Sequence, residues 1–222
     1  MIKKSIVILV AAISLVLTCG CTRKADLSPY VSQSRFDVLV GESENYSIKC
    51  YLENREKPLK SDGKKETVHP AVIVRLTIKN GGEKIESGVK VNFHTDADYS
   101  TSFTFHPESN VYVATCFVRS LPSGSLDVSV VKEDGNETVS LKSVVTDKTA
   151  TPLAALELVG KTCGDLLKEE DFANGNFEVN VRLIEDDGSL YYFVGLITDK
   201  KTEAFLVSAD GKTVIARKKI NN

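Results

Sequence analysis

From Phe36 onward, short runs of the chain alternate apolar and polar residues with a period of two, and turn-forming residues separate them. This pattern constrains the fold more than any other feature, because a period of two puts every second side chain on one face of an extended strand. In YSIKCYL, Tyr46, Ile48, Cys50 and Leu52 share a face. In AVIVRLTIK the same role falls to Val72, Val74, Leu76 and Ile78, in VKVNF to Val89, Val91 and Phe93, and in SLDVSVV to Leu126, Val128 and Val130. NGGE at 80–83, LPSG at 121–124 and EDGN at 133–136 supply glycine and asparagine where a turn needs positive φ. With further runs at 36–40, 102–106, 110–119 and 137–145, about eight strands fit before residue 147. Their natural packing is an antiparallel β-sandwich of the Ig-like kind, over 36–147.

The pattern changes at TDKTATP. Thr151 can cap a helix, and Pro152 suits its first position, where no N–H is needed. Leu153, Leu156, Val159, Cys163, Leu166 and Leu167 then recur at spacings of three and four, predicting an amphipathic helix of about 15 residues. Gly160 and Gly164 each cost that helix roughly 1 kcal/mol relative to alanine. Period two returns in FEVNVRLIE, LYYFVGLIT, EAFLVS and KTVIARK, separated by DDGS, DKKT and ADGK, which are hairpin turns. Residues 148–222 therefore read as a small α+β unit, one helix on a four-stranded antiparallel meander. LYYFVGLI is apolar on both faces, so the second face of that sheet is also a candidate for cover.

The first residues read as an address. Lys3 and Lys4 precede 12 uncharged residues, Ile6 to Leu17, with Ser14 among them. A bilayer-spanning helix needs roughly 20, and a secretory h-region about 7 to 15. Gly20 directly before Cys21 resembles the lipobox of bacterial lipoproteins. The resemblance implies a signal peptide over 1–20, lipid attachment at Cys21, and a protein held on the extracytoplasmic side of the cell membrane. Residues 21–35 then read as a polar tether, with the bilayer as a partner through the acylated cysteine. Losing residues 1–20 removes Lys3 and Lys4 and no acids, shifting the formal net charge from −2 to −4. No basic field exists to collect nucleic acid.

Two further resemblances concern the folded part. Tyr112, Ala114 and Val118, followed by Gly124 and the alternation Leu126, Val128, Val130, resemble the second half of extracytoplasmic Ig-like domains of the YtkA-like and FixH-like type. Phe205, Val207, Asp210, Gly211, Val214 and Ile215 resemble the end of PepSY-like repeats. Both imply accessory or binding modules rather than catalysts.

Candidate chemistry is sparse. Cys50 and Cys116 lie on predicted strands with core-facing parity; an extracytoplasmic compartment permits a disulfide between them, and the loop it closed would contribute roughly 4 kcal/mol. The other reading is two separate buried thiols acting as small hydrophobes. His94 and His106 are the candidate metal ligands, with His69 the remaining imidazole, but no close ligand spacing joins them. No G-x-S-x-G, phosphate-binding glycine loop or His-Glu-x-x-His occurs, so the chain is not expected to be an enzyme, and no cofactor is expected. The expected function is non-catalytic binding of a protein, peptide or small ligand at the cell envelope. The alternatives are copper handling and regulation of a secreted protease.

Overall fold

The computed structural model describes residues 25–57, 66–79, 89–132 and 135–221. The signal segment, Cys21 and the turn at 80–83 lie outside the described residues. The described chain is mainly β, with thirteen strands. None of its helices is long and apolar enough to cross a membrane.

The first nine strands are β1 (Val31–Glu42), β2 (Tyr46–Glu56), β3 (Val68–Ile78), β4 (Lys90–His94), β5 (Asp98–Ser102), β6 (Thr104–His106), β7 (Val111–Phe117), β8 (Ser125–Lys132) and β9 (Gly135–Ser143). One layer runs β1-β2-β3-β7-β6 and the other β9-β8-β4-β5. Between them lies a core containing Leu39, Ile48, Leu52, Val74, Phe93, Val128 and Leu141, all buried. Period two thus yields the sandwich expected from sequence. The run at 102–106 divides into the end of β5 and β6, because Phe103 turns inward as its N–H donates to the Val89 carbonyl at 3.1 Å.

Helix α1 spans Pro152–Thr162, capped as expected: the Thr151 hydroxyl accepts from the Ala154 N–H at 3.3 Å. A 3₁₀ turn at Leu166–Lys168 and the short helix α2 (Glu170–Ala173) follow. Strands β10 (Glu178–Asp186), β11 (Ser189–Ile197), β12 (Lys201–Ser208) and β13 (Val214–Asn221) form the antiparallel meander. Its first hairpin turns on Asp187 and Gly188, both at positive φ (47° and 77°), the geometry that matches the twist of the flanking strands. Leu156, Val159 and Cys163 pack with Val181, Leu183, Tyr192, Val194, Phe205 and Val207 into a second core.

The two halves share strand β1. Val31–Arg35 pair in parallel with Val179–Arg182 of β10. The register against β2 then shifts between Arg35 and Asp37, a bulge at Phe36, and Leu39 and Val40 pair with β9 instead. The bulge bends the strand and re-aims its side chains, so one strand serves both sheets. Val38, Tyr51 and Ile73, on the side of β1–β3 away from the first core, belong to the second.

The tether expected over 21–35 is corrected by this arrangement for residues 25–35. The Ala25 N–H donates to the Gly160 carbonyl at 3.0 Å, Leu27 is buried in the second core, and Tyr30 stacks on Phe177 at 4.3 Å. The segment looked like a tether because Ser32, Gln33, Ser34 and Arg35 are polar on both strand faces and show no alternation.

Candidate functional site

Cys50 and Cys116 are free thiols, and the candidate disulfide between them is corrected by the sheet order. Cys50 stands opposite Val74 and Cys116 opposite Val72, so β3 runs between them. Two inter-strand spacings amount to about 9.5 Å, beyond the Cα separation of roughly 7 Å that a disulfide tolerates. Burial pushes the Cys50 thiol far above its ordinary range, with the Asp37 charge adding to the effect.

His94 and His106 lie on strands that do not pair with each other, and each is occupied locally. His94 Nδ1 is 2.8 Å from Asp98 Oδ1, and His106 Nδ1 is 3.4 Å from Glu108 Oε1. His69 sits edge-on to Phe117. No group of three or more His, Cys, Asp or Glu side chains arranged to hold a metal ion occurs among the described residues. Cys21 lies outside the described residues.

The structure assembles a different site, on the face of the meander opposite α1. Residues directly opposite in a ladder share a face. One row across this face is Arg182, Phe193, Leu206 and Ala216; the next is Asn180, Gly195, Ala204 and Lys218; the third is Glu178, Ile197, Thr202 and Ile220, with the Glu178 carboxylate buried and accepting from the Ser32 hydroxyl at 3.1 Å. Phe193, Ile197, Leu206 and, one row further, Tyr191 are only half-buried, and Ile220 is exposed. Among the described residues no second layer packs over this apolar strip.

The strip ends in a polar corner where β10 meets β1 and β2. Arg35 stands opposite Arg182 on one side and opposite Glu53 on the other, while Arg55 stands opposite Gln33. Glu53 is fully buried. It accepts from Gln33 Nε2 at 2.7 Å and Arg35 Nε at 3.1 Å, and Arg55 reaches it at 3.5 Å. Arg182 Nε donates to Gln33 Oε1 at 2.6 Å, so Gln33 relays between the third arginine and the carboxylate. Only 12% of the Arg35 side chain and 22% of the Arg55 side chain are exposed. The Arg35 guanidinium lies 3.9 Å above the Tyr51 ring and that of Arg182 is 5.9 Å from the Phe193 ring, within reach of cation–π attraction.

Among the described residues the charges at this corner do not balance: three guanidiniums share one carboxylate, Glu53. At Arg182, burial first, and then the neighbouring Arg35 charge with Glu53 opposing it, hold the guanidinium below its ordinary range. Like charges directly opposite in a ladder are destabilising, so the corner costs stability, and an arriving anion would offset that cost.

Sequence reasoning missed this corner. Arg182 reads as the solvent-facing residue of an amphipathic strand, and Arg35 fell within the expected tether. The only trace in the sequence is that Arg55 and Glu53 continue the polar parity of β2. What brings them to Arg182 is a strand pairing across about 150 residues of chain. No family model, no curated protein and no solved structure matches this chain.

Proposed function

We propose that the protein is a lipid-anchored, extracytoplasmic, non-catalytic binding module. In this reading an Ig-like sandwich carries a helix-backed sheet, and the face of β10–β13 opposite α1 docks an acidic, partly apolar segment of a partner protein at the cell envelope. The observation that carries the reading is the half-exposed strip of Phe193, Leu206 and Ile197 running into a corner where guanidiniums outnumber carboxylates. Charge complementarity selects the occupant, since a half-exposed apolar strip that ends in a corner with more guanidiniums than carboxylates favours apolar side chains flanked by acids.

The anchor is supported by the lipobox-like Gly20–Cys21. With Ala25 already hydrogen-bonded to α1, only four Cα-to-Cα steps separate Cys21 from the folded body, a reach of roughly 14 Å at full extension. Lipidation at Cys21 would therefore hold the fold against the membrane surface rather than on a long leash.

Metabolic labelling with an alkyne fatty acid tests the anchor, with loss of label expected in Cys21→Ala. A photoreactive side chain at Leu206 or Ile220 in intact cells tests the binding face. The expected adducts map to an acidic segment of one partner, with none from the same probe at Ser100 on the sandwich's outer face. Equal labelling from all three positions, or none at all, would remove the sheet face from consideration.

A further inference from the structure

We infer that Arg35, Arg55 and Arg182 form a carboxylate-recognition site that reads the acidic residues of the docked segment. The inference rests on the binding-face reading above and gives it a chemistry.

The cluster already recognises a carboxylate within the chain. Glu53 occupies the Arg35 and Arg55 side of it, with charge-assisted contacts at 3.1 and 3.5 Å, and is itself buried. Among the described residues no carboxylate pairs directly with Arg182, which feels Glu53 only at a distance. The Arg182 Nε is held by the neutral Gln33 amide, which fixes the plane of the guanidinium. Arg35 meets Glu53 through Nε, and it stands directly opposite Arg182. Two adjacent planar guanidiniums, both held through Nε, match the two oxygens of a carboxylate, which guanidinium binds in bidentate fashion.

The rest of the site is preorganised. Tyr51 stacks under Arg35, and the neighbouring strands fix the backbones of both arginines. Little side-chain entropy remains to be lost on binding, which is what makes a polar contact productive. The repulsion between Arg35 and Arg182 disappears when an anion bridges them. Phe193, next in the row, then receives the apolar neighbour of the acid.

The test uses the purified full chain in detergent and a fluorescent peptide alternating glutamate with leucine, compared with its glutamine-for-glutamate counterpart. The glutamate peptide is expected to bind at least tenfold more tightly, in line with the weight of charge-assisted contacts. Arg182→Gln and Arg35→Gln are each expected to weaken it about tenfold or more. Lys218→Gln, on the same face but outside the corner, should change affinity less than about twofold, as a screened surface charge does. Thermal melts at low salt guard against a folding artefact: Arg182→Gln should melt no lower than the parent, because it removes a like-charge contact. Arg55→Gln, whose side chain is more exposed than that of Arg35, provides a second binding variant.

Equal binding of the two peptides, or full binding by Arg182→Gln and Arg35→Gln, overturns the proposal. So does inorganic phosphate binding at matched ionic strength where the glutamate peptide does not, which would make the corner a small-anion site. Adducts from Leu206 and Ile220 alongside a negative peptide titration would sink this inference and leave the binding-face reading standing. A positive titration without adducts would do the reverse.

Discussion

Gly160 sits in the last turn of α1, within a helix where glycine ordinarily costs about 1 kcal/mol. The structure supplies its reason: the incoming chain crosses the helix there, and a Cβ at 160 would collide with the Ala25 carbonyl oxygen. Gly160→Ala should therefore destabilise, by about 1–3 kcal/mol as overpacking does, despite alanine's better helix propensity. A lower melting temperature in a thermal unfolding experiment is the expected reading, and a rise would contradict the contact. The thiols give a second residue-scale prediction. With Cys50 and Cys163 buried and burial raising both above the ordinary thiol range, alkylation of the folded protein should spare both and proceed only on unfolding. Reductant should leave the melting temperature of the folded body unchanged, since β3 keeps Cys50 and Cys116 apart. Parity placed Cys50 in the core from sequence alone, but parity cannot count the strands between two positions.

At the scale of elements, the hairpins were legible because their signals are local. Asp-Gly closes β10 to β11 in a two-residue turn, and Thr151-Pro152 starts α1 where it was expected. The helix stops at Thr162, shorter than its apolar stripe suggested, with Leu166 still buried from the following 3₁₀ turn. Leu153, read as part of the stripe, is 55% exposed, because the helix turns its face toward Leu156 and Val159. The two sheets also meet through an ion pair that no local signal announces, Lys49 Nζ of β2 with Glu185 Oε2 of β10 at 2.5 Å. The hydrogen bond from Lys49 outweighs burial and holds the Glu185 carboxyl below its ordinary value of 4.5. A lowered folded value means the pair stabilises above about pH 4.5 and is lost as pH falls through that lowered value. Because Lys49 is well exposed, the effect should stay below about 1 kcal/mol. Acid titration followed by circular dichroism should show Glu185→Gln less stable near neutrality, with the gap to the parent closing below pH 4.

For the whole molecule, the decisive feature is that two hydrophobic cores share β1. The division at residue 147 separates the sandwich run from the helix-and-meander run in sequence, yet Val38, Tyr51 and Ile73 of the first run are packed into the second core, along with Leu27. A chain beginning at residue 36 should therefore lose the parallel partner of β10 and the cover over Gly160. Residues 148–222 alone should fail to give a cooperative thermal transition, whereas the full chain should show one transition for both cores. Two independent transitions in the full chain, or a sharp one from 148–222, would show that the shared strand does not couple them.

The sequence by itself determined whatever depends on neighbours in the chain. Alternation gave the strands and their buried faces, Asp-Gly and Thr-Pro gave turns and a helix start, and the spacing of leucines gave the helix stripe. These are local because side-chain direction has a period of two or 3.6 residues, so a few positions suffice to read it. The tertiary structure alone decided the partners of β1, the separation of Cys50 from Cys116 and the meeting of Arg35, Arg55 and Arg182. Those outcomes depend on which distant strands pair. Backbone hydrogen bonds are the same for every residue type, so pairing is chosen by the fit of whole faces, and that fit exists only once the chain is folded.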